Sequence, residues 1–430
     1  MKPDYSLRFS DNSGVHSFQL KKIDQKSDQL PVNVITIDNI NYKVKASDRA
    51  IALLKTHISA EDDFVSFHKF TGSLHEDLGL KKNESIVFKN IITSSLAPTK
   101  TEATAIKAIQ LQIEKLSKEN KFSGTVLIAK TNSPNLIEAY VGFRNIETKK
   151  VINSDTQFNI ASMTKMFTTV GILQLMEEGK LSLDDPIGDY LPTEITNDNM
   201  KKVTIRQLLT HTGGTGAIKG DYWEISNPKD FIKVTKDNEP DNPGIKCSYS
   251  NLGFVLLGAI IENVSNMDYY QYIQKNVFNE AAMNNSNYQL KTDQSPNTAI
   301  GYMGKNNELS VNHKFLPLRG TPAGCSYSTG RDLLAFSEAL QNETLLKKSS
   351  TRELIKTFVT ETSDAHPTNH SIGFMTGDGW YGHTGHYDGA NGELRIYPKS
   401  GYTVIVLANR DQSQASKLAD FIDNALPLDL

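Results

Sequence analysis

Apolar and polar positions along this chain change their period several times, and each change predicts an element. VNVITI and NYKVKA flank Asp38-Asn39-Ile40-Asn41, which predicts a hairpin. Tyr42 and Val44 alternate with Lys43 and Lys45, the period of a half-buried strand. Ser47 is placed to cap a short helix carrying Ile51, Leu53 and Leu54, and SIVFKNIIT reads as another strand. Residues 1–95 therefore predict a small accessory α+β domain. SSLAPTKTEA, Ser94 to Ala103, is small, polar and carries a proline, as a linker does. A second domain follows over residues 96–430.

In that second domain the period shifts. Ala105, Ile106, Ile109, Ile113 and Leu116 form one helical stripe. FSGTVLIAK and NLIEAYVGF read as strands joined by the turn Thr131-Asn132-Ser133-Pro134. GELRIYP and YTVIVLANR read as strands near the other end, before a helix from about Ala415 to Asn424. Strands at both ends with helix-rich sequence between predict one antiparallel sheet built from both termini, with a helical subdomain in the middle. SMTKMFTTVGILQLMEEGK predicts a long amphipathic helix opened by Ser162, with Met166, Phe167, Val170, Leu173 and Met176 as its buried face. LGFVLLGAIIE is apolar on every side and predicts a fully buried helix.

Composition narrows the function classes. In 430 residues the aliphatic, aromatic and cysteine share is 38%, enough for a sizeable core, and the net charge is -3. No broad basic footprint points to nucleic acid. The N-terminus has no apolar stretch of the signal-peptide kind. The longest apolar run, Phe254 to Ile261, is far short of the roughly 20 residues that span a bilayer. The expectation is a soluble cytoplasmic protein, with export by a route the sequence does not display left open. Cys247 and Cys325 lack zinc-type spacing, so no metal is expected; two free buried thiols are the first expectation and a single disulfide the second.

Chemistry is suggested by three short segments. A serine three residues before a lysine on a helix puts a hydroxyl and an amine on one face, and a lysine with a lowered pKa can take the hydroxyl proton. The pattern occurs as Ser66/Lys69, Ser162/Lys165 and Ser226/Lys229. Gly72 cuts short the segment around Ser66, and Pro228 interrupts the third pair. Only Ser162 opens a long helix, where the dipole and free N–H groups can hold an oxyanion. In Tyr249-Ser250-Asn251, the tyrosine can shuttle a proton if lysine charge favours its phenolate, and Asn251 can orient a substrate amide or carbonyl. In His383-Thr384-Gly385, residues 384 and 385 can line an edge strand, and the next N–H, that of His386, is a candidate second oxyanion donor beside that of Ser162.

FNIASMTKMFTTVGILQLMEEGKLSLDDPIGDYLP resembles the nucleophile segment of the serine β-lactamase and penicillin-binding protein superfamily, whose signatures are Ser-x-x-Lys, Ser-Asp-Asn and Lys-Thr-Gly. Tyr-Ser-Asn and His-Thr-Gly resemble the class C β-lactamase-like branch. LLTHTGG, CSYSNLGFVLLGAIIE, AGCSYSTGRDLLAFSEAL and YPKSGYTVIVLANR follow in matching order over about residues 103–430. The resemblance implies an α+β β-lactamase/transpeptidase-like fold and a serine hydrolase that forms an acyl-enzyme on Ser162. Lys165 and Tyr249 handle the proton, and Asn251, His383, Thr384, Gly385 and His386 bind substrate. The implied substrate is an ester, a D-amino-acid peptide amide or a β-lactam, with no metal or organic cofactor.

His383 stands where that family more often has a carboxylate-binding lysine. It grips an anion less firmly, which favours uncharged esters or amides, or peptides held by other groups. His386, Tyr387 and Asp388 replace smaller residues and imply a narrowed or covered oxyanion strand. His211 is read as bracing the turn before Gly213-Gly214, and Asp184 and Asp185 as a solvated turn. Tyr222, Trp223, Trp380 and Tyr381 are candidate pocket walls, although aromatic residues more often belong to the core. Residues 1–95 lie outside the resemblance and are a possible surface for a protein partner. The competing reading is a catalytically silent scaffold that binds a peptide or a partner.

Overall fold

The computed structural model describes residues 5–11, 14–24, 32–37, 40–45, 48–59 and 87–90, and residues 101–428 apart from 132, 134, 219–223, 234–237, 305–307, 363–367 and 412. These fall into two compact units, Met1–Thr101 and Glu102–Leu430.

The first unit is an antiparallel sheet in sequence order: β1 (Tyr5–Asp11), β2 (Gly14–Asp24), β3 (Val32–Ile37), β4 (Ile40–Lys45) and β5 (Val87–Asn90). Helix α1 (Asp48–Ser59) lies between β4 and β5 in sequence and buries Ala50, Ile51 and Leu54. Ile37 pairs with Ile40, so only residues 38 and 39 separate the hairpin strands; the turn is shorter than the four residues predicted, because Ile40 and Asn41 continue the ladder. Strands β1 and β2 were not predicted, although Tyr5, Leu7 and Phe9 alternate with polar residues. The proposed cap Ser47 and the pair Ser66/Lys69 lie outside the described residues.

The second unit opens with α2 (Glu102–Lys118), whose stripe of Ala105, Ile109, Ile113 and Leu116 is buried as predicted. The elements that position the site then follow in chain order. They are β6 (Gly124–Lys130), β7 (Ile137–Val141), α3 (Lys165–Glu177), α4 (Asn251–Ser265), α5 (Gly330–Gln341), β8 (Val359–Glu361), β9 (Thr368–His370), β10 (Met375–Gly377), β11 (Trp380–Tyr387), β12 (Ala390–Tyr397), β13 (Tyr402–Ala408) and α6 (Ala415–Ala425). One antiparallel sheet runs β8-β9-β10-β11-β12-β13-β6-β7, so the last long strand pairs with the first of this unit, from Tyr402↔Lys130 to Ala408↔Gly124. This is the sheet from both ends that the sequence predicts, in an α+β fold. A core on one face joins Ile109 and Ile113 of α2, Leu418 and Ile422 of α6, and Val404 and Val406 of β13. On the other face Leu333 and Phe336 of α5, Phe167 and Val170 of α3 and Val255 and Ile260 of α4 form the larger core.

Two expectations need correcting, and a third is decided between its alternatives. The helix after Ser162 is not amphipathic: Lys165 through Leu173 are all buried, because α3 is enclosed by the sheet, α4 and the helical middle. Its regular part starts at Lys165, and Ser162 sits in a single 3₁₀ turn, Ala161–Thr164. Tyr381 is a core residue, fully buried against Phe374, and Trp380 packs on the α2/α6 side of the sheet with the Arg395 guanidinium over its ring at 5.0 Å. Both follow the core alternative, not the pocket one; Tyr222 and Trp223 lie outside the described residues.

On that same side, Arg395 of β12 is 8% exposed and holds Glu393 at 3.3 Å and Asp420 at 3.0 Å, with Asp423 also paired. Glu393 is almost fully buried, and burial raises its pKa against the pull of Arg395. Removing the arginine alone leaves that carboxylate unpaired in a low dielectric. Arg395→Ala should therefore lower the unfolding free energy by about 3–5 kcal/mol in urea titrations, while the double change Glu393→Leu with Arg395→Met should recover most of the loss.

Candidate active site

The backbone around Ser162 is held in an unusual shape. Ala161 has φ of 46°, a left-handed conformation that costs an alanine about 1–2 kcal/mol. Several bonds hold it there. The Ala161 N–H donates to Asn159 Oδ1 at 2.9 Å, and the Thr164 hydroxyl donates to the Ala161 carbonyl at 2.7 Å. Cys325, itself at φ of 68°, donates its N–H to that same carbonyl at 3.2 Å. Ser326 N–H donates to Thr164 Oγ1 at 3.1 Å. The segment Ala323–Ser326 is thus clamped to the turn that carries Ser162. As the second residue of that turn, Ser162 has an N–H without an intrahelical acceptor.

Strand β11 presses on the same turn. A Cβ on Gly385 would lie 2.3 Å from the Ile160 carbonyl oxygen and 3.2 Å from Met163 Cγ, so only glycine permits this approach. His386 follows it directly. Its ring is exposed and pairs with Asn391 Nδ2 at 3.1 Å. Beyond it, Tyr387 donates its hydroxyl to the Phe315 carbonyl at 2.7 Å, and Asn312 Nδ2 donates to the Asp388 carbonyl at 2.6 Å.

Lys165 is fully buried. Its Nζ reaches Ser162 Oγ at 3.2 Å, Asn251 Oδ1 at 2.8 Å and the Ala323 carbonyl at 2.6 Å. Burial lowers its pKa to about 7, only partly opposed by Cys325 nearby. A neutral amine has two N–H donors and one lone pair. Asn251 and Ala323 accept the two donors, and the lone pair is left for the serine proton.

Tyr249 comes from the segment before α4. Burial raises its hydroxyl pKa, while the neighbouring Ser162 side chain pulls it down. The amine lies over the ring face, 4.7 Å from its centroid. The condition on which a phenolate depended is not favoured here, since burial holds the group toward its phenol form. Its position is fixed by His211, whose ring stacks on it at 4.3 Å. Ser250 N–H donates to His211 Nδ1 at 3.1 Å, and Ser248 N–H to its carbonyl at 2.8 Å. His211 is structural, as expected, but what it braces is the tyrosine segment more than its own turn. Ser250 caps α4 by accepting from Gly253 N–H at 3.3 Å.

Two predicted substrate contacts are altered. Asn251 spends its carbonyl oxygen on Lys165, so its first role is to orient the amine, although the residue is exposed. His383 is 1% exposed, with Nδ1 at 2.5 Å from the Thr384 carbonyl. Burial, then the Lys165 charge, hold its pKa down to about 3. It is therefore a neutral ring behind the site, and not a weak grip on an anion. Thr384 is half-buried and donates to Met375 Sδ at 3.6 Å.

Other expectations resolve simply. Asp184 pairs with Arg206 at 2.7 Å, and Asp185 accepts from Ser182 N–H at 2.7 Å and from the Tyr190 hydroxyl, so both belong to an exposed turn. Ser226 precedes the short helix Pro228–Lys233 and shares no helical turn with Lys229. Cys247 and Cys325 are free and buried. The sequence reading missed the Ala323 carbonyl, Glu361 and His370. Glu361 Oε1 accepts the Tyr249 N–H at 3.2 Å. No local pattern in the sequence marks these three, because each acts through a partner far away along the chain.

The second unit resembles known proteins. The family model described as Beta-lactamase matches residues 109–426. Protein flp of Staphylococcus aureus (strain N315) is 27% identical over 331 residues, 74% of this chain, and the chain spans only 66% of that protein's length. PbpX of Bacillus subtilis (strain 168) is 30% identical over 312 residues, 71% of this chain and 74% of that protein. The crystal structure of a penicillin binding protein from Bacillus halodurans is 29% identical, with a TM-score of 0.66, and covers 73% of this chain and 99% of that one. With a matched span running from α2 to the end of α6 and enclosing Ser162, Lys165 and Tyr249, the chain belongs to the beta-lactamase family.

Proposed function

We propose that this protein is a serine acyl hydrolase acting through an acyl-enzyme on Ser162. The observation that carries the reading is the buried Lys165 amine, 3.2 Å from Ser162 Oγ, with its other two directions taken by Asn251 and Ala323. Ser162 Oγ attacks a carbonyl carbon while its proton passes to the Lys165 lone pair. The carbonyl electron pair moves onto oxygen, where the N–H groups of Ser162 and His386 receive it. Collapse expels the leaving group, which takes the proton from Lys165 by way of the Tyr249 hydroxyl. Water then repeats the sequence and frees the serine.

The substrate class we favour is an uncharged ester or amide. A neutral His383 supplies no cation for a carboxylate beside the scissile bond. Ester and D-aminoacyl amide substrates fit this better than β-lactams, which carry such a carboxylate. We assign the accessory unit of residues 1–95, as first bounded from the sequence, to a protein partner.

Three measurements test the reading. Ser162→Ala should lose covalent labelling by a fluorophosphonate probe, seen by intact-mass spectrometry; full labelling of that variant overturns the assignment, and no labelling of the unaltered protein favours a silent scaffold. Lys165 accepts the proton only when neutral. The labelling rate should therefore fall about tenfold per pH unit below about 7 and level off above it, and Lys165→Met should abolish the dependence. For p-nitrophenyl butyrate, kcat/KM should exceed that for nitrocefin; the reverse order refutes the substrate class while leaving the mechanism standing.

A further inference from the structure

Beside Tyr249, three side chains converge that the proposed reaction does not use. Cys247 Sγ, a Glu361 carboxylate oxygen and a His370 ring nitrogen all lie within 4.8 Å of one another. They come from three elements. Cys247 lies two residues before Tyr249. Glu361 and His370 sit on the paired strands β8 and β9, where His370 faces Val359, so that Glu361 is its diagonal neighbour on one sheet face. Two of the three are thus fixed by a backbone ladder. His370 Nε2 is buried and makes no regular hydrogen bond; Glu361 Oε2, the nearest acceptor, is 3.5 Å away.

We propose that Cys247, Glu361 and His370 form a Zn²⁺ site. Thiolate, imidazole and carboxylate are the ligand types zinc takes, and three protein ligands leave a fourth position for water. With bonds of about 2.0–2.1 Å to nitrogen and oxygen, a tetrahedral site separates those two atoms by about 3.4 Å. The 3.5 Å between His370 Nε2 and Glu361 Oε2 needs almost no movement. The other carboxylate oxygen, Oε1, is already held by the Tyr249 N–H, the outer hydrogen bond that orients a ligating carboxylate. As the metal–sulfur bond forms, the Cys247 thiol releases its proton to solvent, so each Zn²⁺ taken up frees one H⁺. A bound ion would tie the Tyr249 segment to β8 and β9. Since none of the three ligands touches substrate in the proposed reaction, the site stands or falls independently of that reading.

The test uses the full chain with Co²⁺ in place of Zn²⁺, because Co²⁺ bound to a thiolate gives a sulfur-to-metal charge-transfer band. The unaltered protein should show the band at one equivalent, and added Zn²⁺ should bleach it. Cys247→Ser and His370→Ala should lose the band, whereas Cys325→Ala should keep it. Zn²⁺ should also raise the Tm of the unaltered protein and leave that of Cys247→Ser unmoved. The absence of a band in the unaltered protein overturns the proposal without reference to any variant. So does a band that survives Cys247→Ser or His370→Ala.

Discussion

The burial of a single amine governs the geometry around Ser162. Lys165 is fully enclosed, and water that would otherwise hydrate an ammonium is replaced by the Asn251 side chain and the Ala323 carbonyl. Burying an ammonium is costly, so the group moves toward its neutral form. That burial brings its pKa to about 7, within reach of a neutral amine that can offer its lone pair to Ser162. The neighbouring rings are also uncharged: His211 and His383 are held down by burial and by the lysine, and Tyr249 is held as a phenol. A pocket of neutral groups around one titratable amine concentrates the acid–base chemistry of the proposed reaction in Lys165.

The rest of the second unit can be understood as support for that arrangement. Helix α3 is buried on every side, which fixes Lys165 against rotation. The left-handed Ala161 presents Ser162 to the amine, and the Ala323–Ser326 segment holds both the strained backbone and the lysine. Gly385 allows β11 to close on the turn, and the Arg395 cluster anchors the opposite face of the sheet to α6. Strain at the turn is offset by packing elsewhere, the usual arrangement where local geometry serves a reaction.

The zinc inference extends the same logic outward. Tyr249 is gripped from one side by His211 and through its N–H by Glu361. A cation held by Cys247, Glu361 and His370 would add a third restraint to the same short segment. Tyr249 would then have the Lys165 amine over its ring and a metal held by Cys247, two residues before it.

By itself the sequence determined the periodic elements and the Ser162–Lys165 pair. The helical stripe of α2, the terminal strands and the i, i+3 spacing are local properties, and alternation or helical pitch makes them legible. Tertiary structure alone decided what those residues face. Asn251 turns its oxygen to the lysine because α4 packs beside α3; His383 is neutral because β11 buries it. An apolar helix enclosed on all sides looks amphipathic when the chain is read one turn at a time. Cys247, Glu361 and His370 are more than a hundred residues apart at their extremes, and only the pairing of β8 with β9 beside the tyrosine segment brings them together. Contact between distant segments depends on how apolar faces bury one another, which no local period records.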